Sequence, residues 1–413
     1  MLVVMRKYGF PPRLISVVSR MYEKFTLKIQ KGEEESLLEY LIGVHQGDNL
    51  APLLFVLVYQ ATMESLDATR GDLLAPLPFR FFPDTKQGKP RGRLAGQRPA
   101  TGIDFEFGRS IYMDDKALLS DSHQNSVESS SLLKAHLLRF GLTMHTGTPE
   151  KRSKTEAMHF PAKGKISLPV DTADLVLSDG SLISFCQKFV YLGSVFTPDL
   201  SDDLNIQNRL NKANSAFGSM RPLIFSSPYL PVHLKASLYK SIVVNLLLWG
   251  CENWALRKEF ERKLEVFHTK CCRSILGINM YEVAMYRITN ENVLQRVGIP
   301  PMCDIIHYRR LQWIEKIARM PLTRLPRKFL TAWAVSPDGC SRPYGRRILT
   351  TQDSYLDSLR QIGIESDDGN LKDWIHLAQD LNYDTRWKRK KQQLLAVDKL
   401  SQVEFLNTYQ IMV

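Results

Sequence analysis

The sequence IYMDDKALL, residues 111–119, places two adjacent aspartates, Asp114 and Asp115, between short apolar stretches. Apolar residues on both sides predict a β-hairpin with the two carboxylates at its tip. Such a tip can hold divalent cations through oxygen ligands, and two metal ions can clamp the attacking and leaving oxygens of a phosphoryl transfer. An ordinary aspartate-rich turn is the alternative, because aspartate is a common turn residue.

A second motif, GVHQGDNLAP, covers residues 43–52. Its two glycines allow the backbone to approach another group closely, Gln46 offers hydrogen-bond donors and acceptors, and Pro52 fits the first turn of a helix. Because helix N-termini favour phosphate, the motif is compatible with a phosphate-contacting turn. A strand-to-helix turn without a ligand is the alternative.

The composition of the 413-residue chain favours a polyanionic partner. It has 55 Lys and Arg against 43 Asp and Glu, which gives a net charge of +12 and a pI near 9.3. Nucleic acid is therefore the first expectation and a membrane surface the second. With 44% hydrophobic residues, wholesale disorder is excluded. The absence of an apolar run of about 18 residues, of a signal peptide and of a disulfide framework predicts a location in the nucleus or cytoplasm.

Hydrophobic periodicity predicts an α+β first half and a helical second half. The expected domains are a mixed one at 1–200 with a loop insertion at 67–108, an all-helical one at 201–335, and a basic, partly helical tail at 336–413. Trp249 is expected to pack as an anchor in the helical core. Helices are predicted at 13–25, 203–221, 231–249, 254–275, 302–320, 351–361 and 386–401.

Several motifs in this order resemble the reverse transcriptases of non-LTR retrotransposons, within the right-hand polymerase class. The resemblance covers most of residues 6–335 and implies a partial polymerase palm followed by a helical thumb. The matching segments are YGFPPRLISVVSRMY at 8–22, GVHQGDNLAP at 43–52, YMDD at 112–115, FGLTMHTG at 140–147, KRSKTEAMHF at 151–160, FVYLGS at 189–194, LLLWGCENWAL at 246–256 and HYRRLQWIEKIARM at 307–320.

The resemblance implies RNA-directed DNA synthesis from an RNA template, a DNA primer and deoxynucleoside triphosphates. It implies that Asp114 and Asp115 bind Mg²⁺ or Mn²⁺. It also implies that Lys154 protonates the leaving pyrophosphate, with Lys151 and Arg152 as alternatives. The other implied contacts are with the nucleotide and template at Gln46, Gly47 and Tyr112, and with the primer at Tyr191, Leu192 and Gly193.

The chain departs from the family's pattern at one catalytic position. The family's site has a third carboxylate on the first palm strand, before the helix that residues 8–22 match. No aspartate precedes Asp48, and no glutamate before Gly43 occupies that position. We therefore expect a polymerase that lacks the first palm strand and the fingers and is inactive alone. A non-catalytic nucleic-acid-binding remnant is the alternative.

Two further groups of residues suggest binding sites in the second half. Basic residues near Trp387 and on a predicted helix favour contact with phosphates, although a solvated charged face is the alternative. These residues are Arg309, Arg310, Arg386, Lys388 and Arg389. A zinc site has suitable spacing at His268, Cys271, Cys272, Cys303 and His307, but we expect cysteines in a helical core instead.

Overall fold

The computed structural model describes residues 1–23, 26–32, 34–39, 43–44, 48–69, 76–81, 102–113, 115–160, 174–330, 332–334, 351–364 and 385–396. These residues form a mixed fold in which helices predominate and the sheets are small, in agreement with the α+β class. They fall into two compact units. The N-terminal unit lies within 1–78, 106–157 and 169–186, and the helical unit within 79–105, 158–168 and 187–413.

The secondary structure of the first half alternates short strands with a few helices. In chain order it contains α1 (Leu2–Lys7), α2 (Pro12–Tyr22), β1 (Thr26–Lys31), β2 (Glu34–Glu39), α3 (Ala51–Thr69), β3 (Leu77–Phe81), β4 (Ile103–Phe107), β5 (Arg109–Tyr112), β6 (Asp115–Leu118), α4 (His123–Arg139), β7 (Glu156–Ala157), β8 (Leu175–Val176), β9 (Leu182–Phe185), β10 (Phe189–Tyr191) and β11 (Ser194–Phe196).

The second half is helical apart from one short strand. It contains α5 (Asp203–Met220), α6 (Val232–Leu238), α7 (Asn245–Leu247), α8 (Lys258–Leu276), α9 (Met280–Met285), α10 (Asn290–Val297), α11 (Met302–Ala318), α12 (Leu325–Phe329), β12 (Trp333–Ala334), α13 (Thr351–Gln361) and α14 (Thr385–Gln393). Capping boxes at Asn279 and Thr289 begin α9 and α10, and left-handed glycines at 277 and 298 end α8 and α10.

Five small sheets are described. Strands β1 and β2, β5 and β6, and β10 and β11 form antiparallel hairpins. A three-stranded sheet has the order β7-β9-β8, in which β7 is parallel and β8 antiparallel to β9. The remaining sheet has the order β12-β3-β4.

The core of the N-terminal unit lies mainly between α3 and α4. Their apolar faces meet through Tyr59, Met63 and Leu66 on α3 and through Leu133 and Leu137 on α4. Helix α4 begins after Ser122, because the Ser122 Oγ accepts from the Asn125 amide at 3.2 Å and so caps the helix. This packing provides the base on which the hairpin β5–β6 lies.

The core of the helical unit is larger and gathers side chains from α5 to α11. Tyr239, Trp254 and Leu264 are almost fully buried in it, together with Cys272. The prediction of buried cysteines is therefore confirmed at Cys271 and Cys272.

Three boundaries differ from the sequence-based prediction. The helix expected at 231–249 changes to a π-helical segment over Tyr239–Val244 before α7. The helix expected from residue 254 starts at Lys258, because a 3₁₀ turn over Cys251–Asn253 leads into extended backbone at Trp254. The segment 67–108 was expected to be a loop, but α3 continues into it as far as Thr69, and it contains the strands β3 and β4.

Strands β3 and β4 are ordered by aromatic packing. The Phe105 ring contacts the rings of Phe79, Phe81 and Phe329, and Phe79 also contacts Phe329 of α12, with ring centroids 5.3–5.7 Å apart. The Lys328 ammonium lies 5.2 Å from the Phe105 ring centroid. Aromatic side chains bury large areas, so this cluster explains why strands form within a stretch rich in turn residues.

Candidate functional site

The hairpin predicted around the two aspartates is confirmed. Tyr112 pairs with Asp115 across β5 and β6, which leaves a two-residue connection that begins at Met113. Met113 has a φ of +56°, as the tight turns of two-residue hairpins require. Asp114 lies outside the described residues, so its predicted metal contact stays a prediction.

The tip of this hairpin is open to solvent. The Tyr112 side chain is 62% exposed, and Met113 and Asp115 are exposed as well. Within the described part of the chain, no cation lies within ion-pair distance of the Asp115 carboxylate. Its oxygens suit a hard cation such as Mg²⁺ or Mn²⁺. The described residues include no group of three or more His, Cys, Asp or Glu side chains that could hold a metal ion.

The base of the hairpin is fixed to α3 and α4. The Arg109 guanidinium forms an ion pair with Asp67 at 2.5 Å, and the Lys116 ammonium lies 4.5 Å from the Tyr59 ring centroid. Leu118 packs against the core between the two helices. The tip therefore extends from a packed base, which limits the positions that the backbone at Asp115 can take.

The GVHQGDNLAP motif leads into α3, as predicted, with the helix starting at Ala51. The Asp48 carboxylate accepts from the Leu50 amide at 3.1 Å, and the Asp48 carbonyl accepts from the Ala51 amide at 3.3 Å. These bonds satisfy backbone donors at the start of the helix. Gln46 and Gly47 lie outside the described residues, and their nucleotide contact stays a prediction.

Lys154 lies in a turn that His145 holds in place. The Lys154 amide donates to the His145 Nδ1 at 3.1 Å, and the Ser153 hydroxyl donates to the His145 carbonyl at 2.7 Å. The Lys154 side chain is exposed, whereas the alternative Arg152 pairs with Glu156 at 3.5 Å. Among the described residues, no hydrogen bond or ion pair joins Lys154 to the hairpin β5–β6.

The FVYLGS segment forms a second hairpin with a two-residue connection. Leu192 and Gly193 have φ values of +48° and +80°, which is the pattern of a type I′ turn. Two residues one turn apart on α5 hold it: Asn205 accepts from the Val195 amide at 3.2 Å, and the Arg209 guanidinium donates to the Gly193 carbonyl. Sequence reasoning missed both residues, although their spacing of four places them on one helix face.

The sequence-based prediction that Arg310 contacts phosphates requires an exposed side chain, but the structure buries it. Its side chain is 2% exposed, it donates to the Trp254 carbonyl at 2.9 Å, and burial lowers the pKa of the guanidinium. Helical spacing explains this position, since residue 310 shares a face with the buried residues 306 and 314.

The other predicted phosphate contacts differ in accessibility. Arg309 is half-buried, and Lys388 and Arg389 are exposed on α14. The side chain of Arg386 lies outside the described residues. Lys391, on the same helix, is buried and pairs with Glu315 of α11, so α14 is anchored while its exposed lysine and arginine face solvent.

Four of the candidate zinc residues, His268, Cys271, Cys272 and His307, are buried, whereas Cys303 is exposed. The His268 Nδ1 lies 2.9 Å from the Tyr239 hydroxyl and its Nε2 lies 3.1 Å from the Pro300 carbonyl. Burial raises the pKa of the Cys271 thiol to about 12, which disfavours the thiolate that zinc requires. These contacts support the alternative of a helical core.

Comparison with known proteins gives two distant relatives and no matching family model. The chain is 22% identical to a transposon-derived protein of Caenorhabditis elegans over 271 residues, which are 65% of this chain and 90% of that protein. It is 23% identical over 336 residues, 81% of its length, to the RNA-directed DNA polymerase from the mobile element jockey of Drosophila melanogaster. These similarities support a retrotransposon origin. The match spans 32% of the length of the jockey polymerase.

The structure also corrects the expected role of Trp249. Its side chain is 57% exposed, whereas Leu248 and Trp254 fill the core on either side of it. Gly250, with a φ of +78°, turns the chain after this residue. None of the described helices combines the length and apolar character needed to cross a membrane.

Proposed function

We propose that the chain is part of an RNA-directed DNA polymerase of a non-LTR retrotransposon. The observation that carries the proposal is the hairpin β5–β6. Its two-residue connection lies within the YMDD sequence at 112–115, and its base packs on α3 and α4. The similarity to the jockey polymerase supports it, because the matched region covers 81% of this chain. The nucleus or cytoplasm is the corresponding location.

In this proposal Asp114 and Asp115 hold Mg²⁺ or Mn²⁺ through carboxylate oxygens. The bound ions would stabilise the negative charge that develops as a primer 3′-hydroxyl attacks the α-phosphate of a deoxynucleoside triphosphate. Because the base of the hairpin is packed, the backbone that carries Asp115 is ordered before any ligand arrives, which limits the free energy spent on ordering it. Tyr112, exposed beside it, would border the incoming nucleotide.

The remaining motif residues have supporting roles. Gln46 and Gly47 would contact the nucleotide and the template. The exposed ammonium of Lys154 would donate a proton to the leaving pyrophosphate. The turn at Leu192 and Gly193 would hold the primer strand, with Tyr191 beside it. The RNA template would contact the basic surface of the helical unit.

A non-catalytic nucleic-acid-binding protein is the second candidate. It is favoured by the net charge of +12 and by the exposed Lys388 and Arg389, which need no metal to bind phosphates.

Primer extension on an RNA template separates the two candidates. The 413-residue chain and its Asp115→Asn variant are compared with Mg²⁺ and with Mn²⁺, and affinity for the RNA–DNA primer–template is measured in parallel. Extension that Asp115→Asn lowers by 100-fold or more, an order of magnitude typical of lost charge stabilisation, supports the polymerase. The matched control is Asp121→Asn, an exposed carboxylate after the hairpin.

The other outcomes test the candidates in different ways. Salt-dependent binding without extension agrees with a polymerase fragment that is inactive alone and with the non-catalytic protein, so only extension that depends on Asp115 favours the polymerase over its alternative. Equal extension by the unmodified chain and Asp115→Asn refutes the role of the hairpin. Absence of both binding and extension refutes both candidates.

A further inference from the structure

Two distant motifs meet at the tip of the hairpin β10–β11. The Trp249 indole Nε1 donates to the Leu192 carbonyl at 3.3 Å. A Cβ on Gly250 would lie 3.6 Å from the Ser194 Oγ, so the chain passes close to the hairpin there. More than half of the Trp249 side chain is exposed, which leaves a large aromatic surface beside the tip without a packing role in the core.

A buried arginine lies against this aromatic side chain. The Arg209 guanidinium carbon is 6.0 Å from the Trp249 ring centroid, and a guanidinium N–H donates to the Gly193 carbonyl. The side chain is 4% exposed, and its buried Nε has no hydrogen-bond partner. No carboxylate of the described residues lies within ion-pair distance of it. Burying a cation without a counter-charge is costly, and a nearby anion would offset that cost.

A second arginine contacts the backbone next to Trp249. The Arg309 guanidinium donates to the Leu248 carbonyl at 3.3 Å and to the Asn245 side-chain oxygen. Both acceptors are neutral, and again no described carboxylate lies within ion-pair distance. One cation therefore lies against the exposed indole and a second is held at the peptide group that precedes it, both by neutral oxygens.

We propose that Trp249 and Arg309 form a nucleic-acid-binding site beside the hairpin β10–β11. The indole stacks on a base or sugar, which tolerates any sequence, and Arg309 binds a neighbouring phosphate. Arg209 is a positioning residue, because it holds both the Gly193 carbonyl and the underside of the indole. The inference deepens the proposed function and rests on it, since the expected ligand is the RNA–DNA primer–template.

The first test measures affinity by fluorescence anisotropy, with a labelled DNA primer annealed to RNA and the 413-residue chain. Trp249→Ala is expected to weaken binding about tenfold, the fold-change that corresponds to the loss of one stacked base. Arg309→Gln is expected to lower the slope of log K against log salt concentration by about 0.7–0.9, because one phosphate contact is lost. The matched controls, Tyr229→Ala and Arg262→Gln, remove an exposed aromatic ring and an exposed cation elsewhere and leave affinity unchanged.

The second test uses tryptophan emission, which does not depend on a truncated variant folding. Primer–template is expected to quench the emission of the unmodified chain, and Trp249→Phe is expected to lose most of this quenching. Because Phe keeps an aromatic face and loses only the N–H bond to Leu192, its affinity should stay within about threefold of the unmodified chain.

The outcomes separate the inference from the function on which it rests. If the unmodified chain binds no primer–template, the proposed function fails and this inference fails with it. If the chain binds but Trp249→Ala and Arg309→Gln match their controls, and quenching persists in Trp249→Phe, the inference alone is overturned. In that case the exposed indole serves another partner, such as a protein surface.

Discussion

His268 makes the stability of the helical unit depend on pH in a way that the structure specifies. The side chain is fully buried, its Nε2 donates to the Pro300 carbonyl, and its Nδ1 accepts from the Tyr239 hydroxyl. The bond from the Tyr239 hydroxyl requires the neutral ring, since a protonated ring would donate from Nδ1 as well, whereas the bond to the Pro300 carbonyl is compatible with either state. Burial accordingly lowers the pKa of His268 from 6.5 to about 4.

The sign and size of the effect follow from this pKa. Above about pH 6.5 the His268 ring is neutral in both the folded and the unfolded state, so it does not lower the free energy of unfolding there. Between about pH 6.5 and pH 4 the unfolded chain binds a proton that the folded chain excludes, so the free energy of unfolding falls as pH falls. Each pKa unit corresponds to 1.36 kcal/mol, which gives a loss of about 3 kcal/mol across that window.

Urea unfolding at several pH values between about 7 and about 4, followed by far-ultraviolet circular dichroism, measures this loss. His268→Gln retains a neutral donor and acceptor and is expected to remove about 3 kcal/mol of the pH dependence, although it is less stable near neutrality. The exposed His233 provides the control, because His233→Gln should keep the profile of the unmodified chain. The same pH dependence in His268→Gln and in the unmodified chain would refute the argument.

Two further substitutions test contacts on which the fold depends. Gly193→Ala is expected to lower the free energy of unfolding by about 1–3 kcal/mol, because φ is +80° and the new Cβ would lie 3.2 Å from a guanidinium nitrogen. Gly277→Ala, at a φ of +73° with open space around it, carries only the backbone cost, so equal urea midpoints for the two variants would contradict this reasoning. Glu315→Gln is expected to cost about 3–5 kcal/mol and to loosen the attachment of α14, because it removes the negative charge with which Glu315 pairs with the buried Lys391. Protease cleavage of α14 at the rate of the unmodified chain would count against that anchor.

The sequence predicts local features of this protein well where neighbouring residues determine them. The hairpin at 109–118 follows from apolar residues around a two-residue turn, and the helix predicted at 351–361 has the same bounds as α13. The π-helical interruption after Leu238 was not predictable, since the apolar spacing of that region fits an uninterrupted α-helix equally well.

Exposure was harder to predict, because it depends on contacts between distant segments. Trp249 was expected in the core and is exposed, whereas Arg310 was expected at the surface and is buried. The periodicity of α11 contained the information about Arg310, but a cationic side chain is rarely buried, so its charge favoured the wrong assignment. For Trp249 the neighbouring Gly250 was a signal that the helix ends, but not of which side chain would leave the core.

The two hairpin tips share a backbone feature that separates them from the other turns between paired strands. Each begins with a large non-glycine residue in the left-handed region: Met113 at a φ of +56° and Leu192 at +48°. This conformation costs about 1–2 kcal/mol, and both side chains are about 40% exposed, so burial offsets little of that cost. The structure holds each tip by other means, through the packed base below Met113 and through the bonds from α5 and Trp249 beside Leu192. A two-residue hairpin requires this left-handed backbone, so the contacts that hold each tip offset a cost that the turn type itself imposes.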